Sequence, residues 1–125
     1  MKLKVHHQLL AMGLSPNELK VYCYLMSCAT DGIAIVRAGR IAERCQISRA
    51  TVQTACSSMA AKGVLSKVKR YADGHLIANA YHLSTFTGRF FMLDADAAVF
   101  GLSGSVFTTY LALLSHRGRN GKAFP

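Results

Sequence analysis

Apolar residues recur along this chain with two different periods, and the changes between them mark out its elements. Leu19, Tyr22, Cys23 and Met26 fall at i, i+3, i+4 and i+7, one stripe of an amphipathic helix expected over residues 16–29. Ser15 precedes that helix as a cap, Pro16 suits its first turn, and Asp31-Gly32 breaks it. Residues 33–36 form a short extended run. Ile41, Ala42 and Cys45 predict a short helix over 40–45, and Gln46-Ile47 turns the chain. Ser48 then opens a longer helix over 49–62, buried through Val52, Ala55, Cys56 and Met59 and ended by Gly63. Two strand-like runs follow at 64–71 and 76–83, joined through Asp73-Gly74, a hairpin signal.

The pattern then begins again. GLSPNELKVYCYLMS at 13–27 aligns with GLSGSVFTTYLALLS at 101–115 without gaps at an offset of 88, with six of fifteen positions identical. Phe107, Tyr110, Leu111 and Leu114 stand where Leu19, Tyr22, Cys23 and Met26 stand in the first segment. KLKV at 2–5 aligns with FFML at 90–93, and the glycine of DGIAIV at 31–36 has a counterpart in NGKAFP at 120–125 after one inserted residue. The expected division is one whole unit at 1–84, a linker with a strand-like segment at 85–101, and the first helix of an incomplete second unit at 102–125. An apolar stripe on 102–116 needs a cover, either the first unit or another chain, and a homodimer through this helix is the expected arrangement. Residues 97–115 carry no formal charge, which raises a membrane span, but two glycines and several hydroxyl residues lower the hydropathy and the repeat accounts for the stretch as a packed helix. No membrane association is expected.

Charge changes the picture from fold to function. The 125 residues carry a net +9, and residues 37–70 hold eight basic residues against the single acid Glu43, so that segment alone carries +7. An acidic partner is implied, and it meets the two helices and the hairpin of that segment.

The remaining chemistry is sparse. Cys23, Cys28, Cys45 and Cys56 form no CxxC pair and lie at no zinc-ligand spacing from a histidine, and three of them occupy small apolar positions of helices. Free thiols of this kind suit a reducing cytoplasm. His6, His7, His75, His82 and His116 form no constellation. The spacing of Tyr22, Tyr81, Phe90 and Phe91 fits buried faces. With no Ser/His/Asp set, paired carboxylates or phosphate-cradling glycine loop, neither enzymatic activity nor a cofactor is expected, and no metal site.

The segment AGRIAERCQISRATVQTACSSMAAKGVLSKVKRYADGHLIANAYHLS closely resembles the winged helix-turn-helix domains of bacterial transcription regulators and of plasmid and mobile-element replication proteins. Ile41-Ala42, Cys45, Ile47, Ser48-Arg49, Thr51-Val52, Lys62-Gly63 and the ending Asn79-x-Tyr81-x-Leu83 fall where that family places them. The chain departs from the pattern at Gln46, where the family usually has glycine, and at Arg37, where it often has serine. The resemblance implies a mainly α fold with a small β-hairpin wing, a three-helix core plus wing, followed here by the partial second copy.

It also implies sequence-specific binding of double-stranded DNA, by a transcription regulator or a replication initiator. With 52, 55, 56 and 59 buried, the exposed face of the recognition helix is Arg49, Ala50, Gln53, Thr54 and Ser57, expected at base edges. Arg37, Arg40, Arg44, Ser48, Thr51 and Lys62 are expected near phosphates, and Lys67, Lys69, Arg70 and His75 on the wing. The competing reading is a protein-interaction or assembly module whose basic face meets an acidic protein.

Overall fold

The computed structural model describes residues 2–120. The chain opens with strand β1 (Lys2–His6) and the single-turn helix α1 (His7–Leu10), then enters α2 (Pro16–Cys28). Ser15 Oγ accepts from Glu18 N at 3.2 Å while Glu18 Oε1 accepts from Ser15 N at 2.7 Å, a reciprocal cap that satisfies two free N–H groups of the first turn. Strand β2 (Ile33–Val36) leads to α3 (Ala38–Cys45) and α4 (Arg49–Ala61), followed by β3 (Leu65–Ala72) and β4 (His75–Leu83). The second helix thus starts two residues before the expected position 40. Extended backbone at Arg37 starts it without a side-chain cap bond, a boundary that apolar spacing does not record.

Strands β2, β4 and β3 form one antiparallel sheet in that order. Asp73 and Gly74 turn the β3–β4 hairpin with φ of 52° and 79°, positive at both central residues, as a tight two-residue hairpin requires. The three helices α2, α3 and α4 close over this sheet on a core that includes Tyr22, Leu25, Ile41, Val52, Met59 and Tyr81, each at most 2% exposed.

Beyond the wing the chain returns as β5 (Phe90–Asp94), α5 (Ala97–Phe100) and α6 (Gly104–Asn120). The stretch expected as a linker with a strand-like segment thus holds β5 and the short helix α5. Strand β5 pairs antiparallel with β1, Leu3 opposite Leu93 and Val5 opposite Phe91, giving a second, two-stranded sheet. Phe91 and Leu93 point inward, whereas Phe90 is 45% exposed, against expectation; strand alternation puts it on the outer face, where the Lys4 ammonium sits 4.5 Å from its ring centre.

Helix α6 packs on α2 and β5, with Phe107 and Leu111 buried. The expected apolar stripe is thus covered from within the same chain. The Lys20 ammonium, itself buried, donates to Leu102 O at 2.7 Å and ties α2 to the turn before α6. The chain beyond β4 extends the first core, and a second winged unit is not established; the counterpart of Gly32 expected at 120–125 lies outside the described residues. Among the described residues no helix is long and apolar enough to cross a membrane.

Candidate nucleic-acid interface

The centre of the basic segment is α3, a tight turn and α4. Gln46 takes the left-handed conformation, φ 55° and ψ 48°, and Ile47 N donates to Ala42 O at 3.1 Å, closing the end of α3. The turn that usually needs glycine is therefore made here by Gln46. Ile47, half-buried, packs against the core, and Ser48 Oγ accepts from Thr51 N at 3.0 Å to cap α4. Ser48 Oγ also lies 2.7 Å from Thr51 Oγ1, so the two hydroxyls form one polar pair at the helix start.

With Val52, Ala55, Cys56 and Met59 buried, α4 presents Arg49, Ala50, Gln53, Thr54 and Ser57 outward, all exposed. The Arg49 guanidinium lies beside α3 at Gly39, 3.7 Å from where a Cβ there would stand, an ordinary van der Waals separation. Between α4 and the wing is a cleft of about 360 Å³, walled by Ala38, Gln53, Ser57, Lys67, Lys69 and Asn79. The β3–β4 register sets this wall: Lys67 opposite Tyr81 and Lys69 opposite Asn79 share one sheet face, while the intervening Val68 points to the other. Arg70, next in the strand, falls on the Val68 side of the alternation, and His75 opens β4 past the turn, exposed.

Residues 12–65 match a helix-turn-helix domain family. This region is a helix-turn-helix domain. The match runs from the turn before α2 to the first residue of β3, so the wing, β5 and α6 lie outside it. No curated protein and no solved structure matches the chain.

Around the helix-turn-helix domain the remaining basic residues divide. Arg37 is exposed at the start of α3. Arg40 and Arg44, two and six residues past Ala38, point about 200° and 240° away from it round the helix and line a different cleft of about 270 Å³ with Tyr24, Asp96 and Phe100. Lys62 turns inward: its ammonium pairs with Glu18 at 2.9 Å and donates to Gly13 O at 3.0 Å.

Sequence reasoning missed Asn79 as a site residue. Its Nδ2 donates to Tyr81 Oη at 3.2 Å, while its Oδ1 is buried with no hydrogen-bond partner among the described residues, beside Gln53 and the two wing lysines. The signal was present in the Asn-x-Tyr-x-Leu ending, which reads as fold until the register turns Asn79 toward α4. Burial pushes the Tyr81 hydroxyl and the Cys56 thiol above their ordinary values, so both stay neutral in this wall.

Proposed function

We propose that the protein binds double-stranded DNA in a sequence-dependent manner, laying α4 in the major groove with the wing against the adjacent backbone. The observation that carries this reading is the juxtaposition of a polar, exposed α4 face with a cleft whose far wall is Lys67 and Lys69. In this pose Arg49 and Gln53 reach base edges, as bidentate partners of guanine and adenine respectively, with Ala50, Thr54 and Ser57 beside them. Ser48 and Thr51 stand at the α4 start, Lys67 and Lys69 line the cleft and Arg37 begins α3, and a phosphate chain passes along them. Arg70 and His75 lie along the wing. Arg40, Arg44 and Lys62 contribute positive potential rather than direct phosphate contacts, because of where their side chains point. The unpaired Asn79 Oδ1 gives the cleft an acceptor for a donor on the nucleic acid. The biological role is transcriptional regulation or the initiation of replication for a mobile element, and both employ this interface in the same way.

A second reading, a protein-interaction module, draws on Ile35 and Val68, about half exposed in the outer sheet face. A salt titration of duplex binding separates the two. Neutralising about five phosphates predicts a log–log slope near −4 to −5. Absence of duplex binding, or binding indifferent to salt, overturns the DNA reading.

A further inference from the structure

Tyr71, near the tip of the wing, is 60% exposed, more than any other large hydrophobic residue among the described ones. Tyr22, Tyr24 and Tyr81 are each at most 8% exposed, and Tyr110 is half-buried. Among the described residues the Tyr71 hydroxyl and ring meet no hydrogen-bond or stacking partner. One exposed aromatic residue is ordinary by itself. Its place in the strand is what gives this one a use.

Strand β3 leaves the core at the buried Leu65 and is exposed from Ser66 to Tyr71. Side chains alternate along a strand, so Tyr71 shares a face with Lys67 and Lys69, the two lysines that line the cleft opposite Gln53 and Ser57 of α4. The register shifts between Arg70, opposite Ala78, and Tyr71, opposite Leu76. The extra residue of this irregularity belongs to β4, so the alternation along β3 is unbroken while the tip gains twist. Tyr71 thus stands about 7 Å beyond Lys69 on the same face, outside the cleft that the lysines wall.

In a duplex one phosphate chain separates the major groove from the minor groove. With α4 in the major groove and that chain held in the cleft by Lys67 and Lys69, the next residue of the same face lies past the chain, over the minor groove. Resting on the DNA reading above, we propose that Tyr71 enters the minor groove beside the α4 site and selects A·T over G·C pairs there.

The side chain suits that task. A·T pairs present only the acceptors A N3 and T O2 in the minor groove, whereas G·C adds the guanine amino group on its floor. The Tyr71 hydroxyl donates to such an acceptor, its ring packs between the sugars, and the amino group would stand where the ring edge must go. The lysines behave differently: an ammonium held by a phosphate releases a counterion and is indifferent to sequence. Tyr71 carries no ammonium, so it adds sequence preference without adding salt dependence. The wing thereby reads base pairs that α4 does not touch.

Selection from a randomised duplex pool with the full chain, followed by binding measurements on the selected duplex, tests this. The wild-type pool should hold a core with A·T pairs to one side, and the Tyr71→Ala pool should keep the core with that side random. In the selected duplex, replacing those A·T pairs by G·C should weaken wild-type binding about 3–10-fold. Inosine·cytosine pairs, which keep the major-groove acceptors of guanine but lack its minor-groove amino group, should restore it. Tyr71→Ala should bind all three duplexes alike, with the wild-type salt slope and an unchanged thermal melt. Lys69→Ala should keep the preference and lose about one unit of slope. A random flank in the wild-type pool, a preference that survives in Tyr71→Ala, or inosine·cytosine binding as weakly as G·C overturns the proposal and leaves the DNA reading intact. A wild-type chain that retains no duplex overturns the DNA reading and the role of Tyr71 with it.

Discussion

Glu18 ties two parts of the molecule together through one carboxylate. It receives the Ser15 N–H at 2.7 Å and the Lys62 ammonium at 2.9 Å, and so joins the start of α2 to the end of α4. Burial pushes its pKa up, but hydrogen bonds from Ser58, Lys62 and Ser15 together with the Lys62 charge outweigh that, holding it below the ordinary 4.5. A depressed folded-state pKa means its stabilisation is fully present above the unfolded value and disappears as pH falls through the folded one. Glu18→Gln should lower stability by about 1–3 kcal/mol at neutral pH. Melting curves of both proteins should converge at acid pH, and a gap as wide at pH 3 as at pH 7 would refute the assignment. The thiols give a second prediction at this scale. Burial pushes Cys23 and Cys45 up to about 12 and raises Cys56, while Cys28 is exposed. One thiol in four should therefore react promptly with a thiol reagent in the native protein, and all four after denaturation. The Ser15 cap was legible in the sequence because its partner is three residues away. The buried Lys20 was not, because the carbonyl it binds lies 82 residues on.

At the level of elements, two backbone positions carry opposite signs. Gln46 holds φ 55°, a conformation that strains any residue with a Cβ. Gln46→Gly should raise stability by up to about 1 kcal/mol, read as a shift of a few degrees in the thermal midpoint, whereas Gln46→Val should lower it. Gly104 sits in the first turn of α6, where alanine ordinarily favours a helix by about 1 kcal/mol. A Cβ there would stand 2.9 Å from Pro16 Cβ, so Gly104→Ala should instead destabilise by about 1–3 kcal/mol as α6 is pushed off α2. A stabilised Gly104→Ala protein would mean that the two helix starts are not packed together. The helices and the wing of the first unit could be read from periodicity, since each is specified by neighbours within a few residues. The β1–β5 sheet could not: its strands are short runs 84 or more residues apart, and the alignment of KLKV with FFML shows likeness, not pairing. The inward turn of the 102–116 stripe was likewise hidden, because periodicity identifies an apolar face without saying which neighbour covers it.

Across the whole molecule, charge and shape divide the work of recognition. The +7 of residues 37–70 identifies the region from composition alone, yet the fold decides which cations share a surface. Arg49 belongs to α4, so Arg49→Ala should relax discrimination at one base pair by about 1–3 kcal/mol while changing random-sequence binding less. Lys69 belongs to the cleft wall, so Lys69→Ala should weaken all duplexes alike and reduce the salt slope by about 1. Competition binding with specific and scrambled duplexes at several salt concentrations reads both, and equal losses on the two duplexes for Arg49→Ala would remove it from the base-reading set. The pairing of β1 with β5 has a consequence for how the chain is made. Strand β1 leaves the ribosome before β5, and at about 5–20 residues per second its partner emerges roughly 4–18 s later. During that interval a lone strand with open edges is a hazard for mispairing, and Lys2 and Lys4, alternating with Leu3 and Val5, supply the charge that discourages it. The helix-turn-helix segment at residues 12–65 is thus synthesised whole before β5, and the β1–β5 pair can close only after it has been made.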